Sequence, residues 1–126
     1  MIMAKGIAGG LPVGATITTE EIAGKWAGKT ISTFGGNPLA CEAGLAVFCA
    51  MKDEHLVENS EKMGFYLIGK LNALKMNYNR ISEVRGNGLM IGIELKEKVQ
   101  PYLNLLMERG VLAMPAGKIV LRLLPP

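Results

Sequence analysis

A lysine close to the start of the sequence is a candidate for imine chemistry. Lys5 follows a short apolar stretch, residues 2–4, that is predicted as the end of a buried strand, and it precedes a loop with Gly6, Gly9 and Gly10. A lysine among small apolar residues is partly desolvated, and desolvation favours the neutral, nucleophilic amine. The glycines would leave room for a flat cofactor. Taken alone, Lys5 is more simply interpreted as a solvent-facing terminal lysine.

A second candidate is the segment STFGGNPLA, residues 32–40, which places two hydroxyl groups before two glycines and a predicted helix start. Asn37 is predicted as the helix cap and Pro38 as the first helical residue, because each residue type is preferred at that position. Unpaired N–H groups at a helix N-terminus, together with hydroxyl groups, suit a phosphate. An ordinary capped helix start is the simpler interpretation of this segment alone.

Arg122 is the third candidate, because it lies in a strongly apolar segment, IVLRLLPP, that is predicted as a strand. Arginine is rarely buried without a partner, so Arg122 is expected to pair with a carboxylate. That carboxylate belongs either to a ligand or to this chain, in which Glu83 and Glu94 are the acids near predicted strands. The residues alone leave both alternatives open.

The two glycine-rich segments do not fit nucleotide-binding motifs. The loop after Lys5 lacks the Lys-Ser or Lys-Thr pair of a Walker A loop. The segment RGNGLMIG has Ile91 where a GxGxxG motif requires glycine, and it leads into a predicted strand rather than a helix. Gly86 and Gly88 are therefore predicted to form a tight turn before a strand.

Composition argues against several other classes of function. The 126 residues carry a net charge of +3, but the basic residues are scattered among acidic ones, which argues against nucleic-acid binding. No stretch approaches the roughly 20 apolar residues of a membrane span. The N-terminus also lacks the pattern of a secretory signal, so neither a membrane partner nor secretion is expected.

The cysteines indicate a reducing compartment. Cys41 and Cys49 lie in one predicted helix, where they would be about 12 Å apart, too far for a disulfide. They are predicted as buried, reduced thiols of a cytoplasmic protein. No metal site is expected, because the chain has a single histidine and no CxxC motif.

Apolar periodicity and turn residues predict two different halves, with a boundary within residues 53–61. The elements predicted for the first half are a strand at 13–18, a short helix at 20–26 with a Thr18-x-x-Glu21 capping box, a loop at 30–36 and a helix at 39–51 that is buried on most sides. A further helix is predicted from about 54 to 75, so the boundary falls within the long helical region. The second half is predicted as a small mixed α+β layer with strands at 81–84 and 89–95, a helix at 99–109 closed by Gly110, and strands at 111–114 and 119–124 that form a hairpin.

The order of five segments resembles one family. MAKGIAGGLPVGA, STFGGNPLAC, VRGNGLMIGIEL, ERGVLAMPAG and VLRLLPP follow one another as in the class III pyridoxal-phosphate aminotransferases. The sequence is most similar to the acetylornithine and ornithine branch, including its carrier-protein-linked relatives in lysine and arginine biosynthesis. The resemblance covers nearly the whole chain. It implies an enzyme that uses pyridoxal 5′-phosphate to move an amino group from an ω-amine, such as acetylornithine, to 2-oxoglutarate.

The resemblance also implies an α/β fold, namely the C-terminal part of a fold-type I transferase with a small α+β domain. Residues 1–36 would end the cofactor-binding large domain and carry the Schiff-base lysine. Residues 37–60 would form the linking helix, and residues 61–126 the small C-terminal domain. A cytoplasmic homodimer with small-molecule substrates is expected.

By the same resemblance, four residues have site roles. Lys5 matches the lysine that forms the Schiff base with the cofactor and moves a proton between substrate and cofactor. Thr33 matches the threonine that reaches the cofactor phosphate of the other subunit, and Ser32 matches its neighbour near the substrate. Arg122 matches an arginine near the substrate carboxylate, which in related ornithine enzymes also pairs with a glutamate outside this stretch.

Some of the family's site residues would lie before Lys5. These are the aspartate that binds the pyridine nitrogen of the cofactor, the loop that binds its phosphate, an aromatic residue that stacks on its ring, and the main arginine that binds the substrate carboxylate. In this sequence only residues 1–4 precede Lys5. The sequence also stops at Pro125-Pro126, where the family continues into a final helix. We therefore expect a fragment that transaminates negligibly by itself, because a cofactor without its pyridinium partner is a poor electron sink.

Two other interpretations remain open. The first is a non-catalytic remnant of the small domain that dimerises through exposed apolar surface, since apolar residues make up 49% of the chain. Such an interaction module would not need Lys5. The second and weaker alternative is a phosphate- or nucleotide-binding domain, for which the glycine spacings are wrong; a rise in melting temperature with ATP would support it.

Overall fold

The computed structural model describes residues 1–26 and 31–125. The chain divides into two compact units, Met1–His55 and Leu56–Pro126, and each is described by itself. The first unit contains the antiparallel strands β1 (Ile2–Met3) and β2 (Ala15–Thr16), a 3₁₀ turn (Lys5–Ala8), and the helices α1 (Glu20–Gly24) and α2 (Pro38–Asp53). The two short strands lie within the segments predicted as strands.

The start of α2 is confirmed as predicted. Asn37 is its N-cap, and the side-chain oxygen of Asn37 accepts a hydrogen bond of 3.0 Å from the N–H of Ala40. Pro38 is the first helical residue, where its missing N–H costs no hydrogen bond. The Asn37 side-chain amide also donates to the carbonyl of Phe34 at 2.9 Å, so one residue holds both the helix start and the turn before it.

Replacing Asn37 by alanine is expected to lower the free energy of unfolding of the first unit by about 1 kcal/mol, because a helix N–H loses its acceptor. Thr19→Ala is the matched control, since Thr19 is the N-cap of α1 but its side chain makes no cap hydrogen bond. Urea titrations followed by circular dichroism would compare the two variants. Equal losses of stability would contradict the assignment of the cap.

The capping box predicted for α1 is wrong. The N-cap is Thr19 rather than Thr18, which places Glu21 at the second helical position, one short of the position that reaches back to a cap. Glu21 instead forms an exposed ion pair of 3.7 Å with Lys25, one turn later. The helix is accordingly short and ends at Gly24, before the predicted end at Trp26.

Helix α2 is not buried on most sides as predicted. Ala40 is its one buried residue, whereas Leu39 and Leu45 are 71% and 58% exposed. Within the described part of the first unit, the short 3₁₀ turn is the element that packs most extensively against α2. The prediction of buried cysteines is wrong for the same reason: Cys41 and Cys49 are both free and exposed.

The second unit is a sheet covered by helices on one face. Its elements are α3 (Leu56–Asn77), β3 (Ile81–Asn87), β4 (Met90–Leu95), α4 (Gln100–Glu108), β5 (Met114–Ala116) and β6 (Val120–Leu123). The four strands are antiparallel in the order β3-β4-β6-β5. Alternate residues of β4, namely Ile91, Ile93 and Leu95, are buried in a core with Leu71, Val99 and Leu121. The residues between them therefore lie on the opposite face of the sheet.

The predicted hairpin of the last two strands is confirmed, because β5 pairs with β6, but its first strand starts later than predicted. Residues 111–113 are not in a strand, and Pro115 and Ala116, predicted as turn, belong to β5. The N–H of Val111 bonds the carbonyl of Leu106 at 2.9 Å. The chain therefore still closes the end of α4, after Gly110 at a φ of 77°, and is free to pair as a strand only later.

The tight turn predicted before β4 is confirmed at Gly88, in the connection between β3 and β4, whereas Gly86 lies within β3 and is paired with Ile91. Gly88 has a φ of 53°, which glycine adopts without strain. Helix α3 lies directly against this turn: a Cβ built on Gly64 would be 2.2 Å from the carbonyl oxygen of Gly88. Ser60, one turn earlier, accepts a hydrogen bond of 3.2 Å from the N–H of Leu89. Glycine at position 64 thus allows the backbones of helix and turn to touch.

The described residues form a mixed α+β structure with four helices and two antiparallel sheets, which confirms the predicted fold class. Over the same residues, none of the helices combines the length and the apolar character that crossing a membrane requires.

Candidate active site

Lys5 has an unusual backbone conformation. It begins the 3₁₀ turn with a φ of 64°, in the left-handed region that residues with a side chain rarely adopt. Such a conformation costs about 1–3 kcal/mol, and residues that keep it cluster at active sites and ligand clamps. The turn then closes at Gly9, whose N–H bonds the carbonyl of Gly6 at 3.1 Å. The strained residue is the one that sequence analysis proposes for chemistry.

Lys5 lines an open cavity of about 500 Å³. The lining residues are Ala4, Lys5, Gly10, Leu11, Pro12, Val13 and Gly14, so the lysine amine is the one ionisable side-chain group among them. Lys5 itself is exposed, and the prediction of a partly desolvated lysine is wrong for this structure. The other lining residues are glycine or apolar.

Ser32 lies at a second cavity, of about 200 Å³, at the start of α2. This cavity shares the wall formed by Pro12, Val13 and Gly14 with the Lys5 cavity. Ser32 is the first residue of a tight turn, in which its carbonyl accepts from the N–H of Gly35 at 3.3 Å. Thr33 is exposed in this turn and lines neither cavity. The first residue of the predicted loop, Thr30, lies outside the described residues.

Arg122 lies on β6, in the second unit, on the sheet face opposite the core. Among the described residues no carboxylate forms an ion pair with it, and its Nη2 donates to the thioether sulfur of Met114 at 3.5 Å. Its Nε is buried and has no hydrogen-bond partner. The alternative that Arg122 pairs with Glu83 or Glu94 is therefore wrong for the described part of the chain.

Both of these acids are held by Arg85, which sequence analysis missed. The guanidinium Nη1 of Arg85 donates to Glu83 Oε2 and to Glu94 Oε2, each at 2.8 Å. The hydrogen bond with Glu94, and then the charge of Glu83, raise the pKa of Arg85 above its ordinary value. The missed signal is strand alternation: Arg85 is two residues after Glu83, so the two share a face of β3.

Arg85 and Arg122 line one open cavity of about 340 Å³ on this sheet face. Gly92 lies between them, because it is paired with Arg85 of β3 on one side and with Arg122 of β6 on the other. No carboxylate belongs to the lining of this cavity, whose other residues are Gly86, Asn87, Met90, Ile91, Ala116 and Val120. Of the two arginines in this lining, Arg85 is already bonded to carboxylates, and, among the described residues, Arg122 is not.

Comparison with known proteins connects these residues to one family. Residues 1–126 match the family model described as aminotransferase class-III. The chain is 47% identical to the [LysW]-aminoadipate semialdehyde transaminase of Deinococcus radiodurans and 46% identical to an acetylornithine aminotransferase of Methanosarcina mazei, each match covering the whole chain. It spans only 29% and 31% of the length of these two relatives.

Solved structures give the same family. An acetylornithine aminotransferase of Elizabethkingia anophelis superposes on 99% of this chain with a TM-score of 0.91 at 34% identity, and the match covers 33% of that protein. An ornithine aminotransferase of Toxoplasma gondii, described as having partial occupancy of PLP at its active site, superposes with a TM-score of 0.92 at 30% identity over 99% of this chain and 31% of its own. Sequence and fold agree, and the chain belongs to the class-III aminotransferase family.

Proposed function

We propose that this chain is part of an enzyme that moves an amino group from an ω-amine to 2-oxoglutarate. Acetylornithine, or a related ornithine- or lysine-pathway intermediate, is the proposed donor, which would place the enzyme in arginine or lysine biosynthesis in the cytoplasm. Family membership and the printed activities of the relatives support this choice. The proposed domain assignment is the end of the large domain at residues 1–36, a linking helical segment at 37–60, which contains α2 and the start of α3, and the small domain at 61–126.

Class-III aminotransferases depend on pyridoxal 5′-phosphate, and the residues around Lys5 fit this cofactor. The observation that supports this assignment is a strained lysine that lines a cavity with no other ionisable side chain in its lining. The cavity of about 500 Å³ falls within the common range for small ligands, roughly 300–1,000 Å³. When bound, the cofactor supplies an electron sink. The amine of Lys5 would hold it and would carry the transferred proton on Nζ.

Thr33 is proposed as a contact across a homodimer, and its neighbour Ser32 as a substrate contact. Thr33 is exposed in a turn that Gly35 and Asn37 hold in shape by hydrogen bonds, so its hydroxyl is open to another subunit. We assign Thr33 to the cofactor phosphate of that subunit. Ser32, which lines a cavity at the start of α2, is assigned to the substrate.

Arg122 is proposed to bind a substrate carboxylate. The support is chemical: its Nε is buried without a partner, and the one side-chain hydrogen bond that it makes among the described residues goes to a neutral sulfur. A buried guanidinium N–H without an acceptor is costly, and a bidentate carboxylate would satisfy it. Both the amino donor and 2-oxoglutarate carry carboxylates, so the same arginine can serve either half of the reaction.

The test of the Lys5 assignment is covalent trapping. The purified chain is mixed with pyridoxal phosphate, reduced with borohydride and digested, and any adduct is located by peptide mass. A stoichiometric adduct on Lys5 alone is expected. Scattered labelling of surface lysines, or none, would contradict the assignment and would favour the non-catalytic interaction module.

The 126-residue chain alone is expected to transaminate negligibly. The reason is visible at the Lys5 cavity, whose described lining contains no carboxylate that could face the pyridine nitrogen of the cofactor. Turnover of acetylornithine with 2-oxoglutarate would be measured with no other polypeptide present. Substantial turnover would show that the lining is sufficient as it is and would contradict this expectation.

A further inference from the structure

Four residues form a straight row across the sheet of the second unit. Arg85 of β3 is paired with Gly92 of β4, Gly92 with Arg122 of β6, and Arg122 with Met114 of β5. Residues paired across strands share a face, so the two arginines flank Gly92 on the sheet face opposite the core. Their strands are two spacings apart, about 10 Å. Gly92 contributes no side chain, and Gly92 and both arginines belong to the lining of the cavity described above.

Glu94 is placed to reach either arginine. It lies two residues after Gly92 on β4 and therefore on the same face. It is thus a diagonal neighbour of both Arg85 and Arg122, and diagonal neighbours are about 7–8 Å apart at Cα, within reach of long side chains. In the structure the carboxylate of Glu94 binds Arg85 at 2.8 Å.

Arg85 also offsets the electrostatic repulsion between two carboxylates within the sheet. Glu83 and Glu94 are directly paired across β3 and β4, and like charges in that position repel. One guanidinium nitrogen of Arg85 bonds both carboxylates at 2.8 Å. With both acids held there, Arg122 keeps only the neutral Met114 sulfur as a partner among the described residues.

We propose that Arg85 is a positioning residue that holds Glu94 away from Arg122 and so keeps Arg122 free for a ligand carboxylate. This inference rests on the proposed function, in which Arg122 binds the substrate carboxylate. Without Arg85, the carboxylate of Glu94 turns to Arg122 and occupies the position of the ligand. Arg85 itself does not touch the ligand.

The proposal is tested with the isotope-labelled 126-residue chain and glutarate, a dicarboxylate with the carbon skeleton of 2-oxoglutarate. The Nε–H resonance of Arg122 reports its bonding without ligand, and its movement during titration gives the glutarate affinity. The variants are Arg85→Gln, Glu94→Gln, the double variant of both, and Arg85→Lys as the charge-conserving control. Circular dichroism checks that each variant is folded.

Arg85→Gln is expected to weaken glutarate binding about tenfold, because glutarate must then displace a charge-assisted bond between Glu94 and Arg122. It should also shift the free Arg122 resonance towards that of a carboxylate-bonded guanidinium. The double variant is expected to bind within about twofold of the unaltered chain and to restore the resonance, because the competing acid is gone. Arg85→Lys and Glu94→Gln should each leave the affinity nearly unchanged.

The outcomes separate the two proposals. If the double variant stays as weak as Arg85→Gln, then Arg85 touches the anion itself, and the positioning role is wrong. If Arg85→Gln changes neither the affinity nor the Arg122 resonance, the positioning role is also wrong. The proposed role of Arg122 is wrong if glutarate does not move the Arg122 resonance in the unaltered chain, or if Arg122→Gln binds glutarate equally well. In that case, the Arg122 resonance of ligand-free Arg85→Gln still shows whether Glu94 turns to Arg122.

Discussion

Replacing Gly64 by alanine is expected to lower the free energy of unfolding of the second unit by about 3 kcal/mol, the upper part of the usual range for overpacking. A Cβ at this position would lie 2.2 Å from the carbonyl oxygen of Gly88 and 2.5 Å from its carbon. These are backbone atoms in a tight turn, so no side-chain rotation can relieve the contact. Either α3 moves away from the β3–β4 turn, or the turn deforms.

The measurement is thermal or urea unfolding of the chain, followed by circular dichroism. For a unit of this size the loss corresponds to a fall in melting temperature of about 15 °C. Gly69→Ala is the matched control, because Gly69 lies on the same helix and a Cβ there would meet nothing within 4 Å. That variant is expected to gain about 1 kcal/mol from helix propensity. Similar effects of the two substitutions would show that α3 does not touch the turn.

Replacing Lys5 is expected to abolish the selective borohydride adduct while leaving the fold intact. Lys5→Arg keeps the positive charge but has no amine that condenses with an aldehyde, so labelling should fall from about one adduct per chain to background. Peptide mass mapping of the labelled variant gives the result. An adduct that persists at full yield in Lys5→Arg would place the reactive amine on another lysine, such as Lys25.

Two further variants at the same position separate chemistry from backbone strain. Because Lys5 has a φ of 64°, Lys5→Gly is expected to be about 0.5–1 kcal/mol more stable than Lys5→Ala, after allowing for the greater freedom of glycine in the unfolded chain. Neither variant should be labelled. Equal unfolding free energies would mean that the left-handed conformation carries no measurable strain, and would remove the main structural argument for this site.

Local signals predicted much of the fold. Asn37 and Pro38 start α2 as predicted, because a cap and a first-turn proline act through atoms within four residues of each other. The β3–β4 turn was also predictable from local sequence, because Gly88 adopts a positive φ that glycine favours. The site assignments of Lys5, Ser32, Thr33 and Arg122 came from the resemblance and remain predictions, although the strain at Lys5 is an independent physical observation.

The wrong predictions concern structural features that depend on parts of the chain distant in sequence. Which acid Arg122 meets depends on the register of three strands, and that register places Arg85 beside Glu83 and Glu94. The burial of α2 and of its cysteines depends on what covers the helix, which an apolar pattern cannot identify. The start of β5 depends on how α4 ends. The N–H of Val111 bonds the carbonyl of Leu106, and the strand propensity of residues 111–113 does not indicate this bond.

Pro115 has a consequence for how molecules of this protein meet one another. It lies in the middle of β5, at one edge of the four-stranded sheet, and is paired there with Leu121 of β6. Proline has no N–H, so this edge cannot present a continuous row of donors to a strand from another molecule. At the opposite edge, β3 presents the charged side chains of Glu83 and Arg85. Both edges thereby resist the strand-by-strand addition through which exposed sheets aggregate.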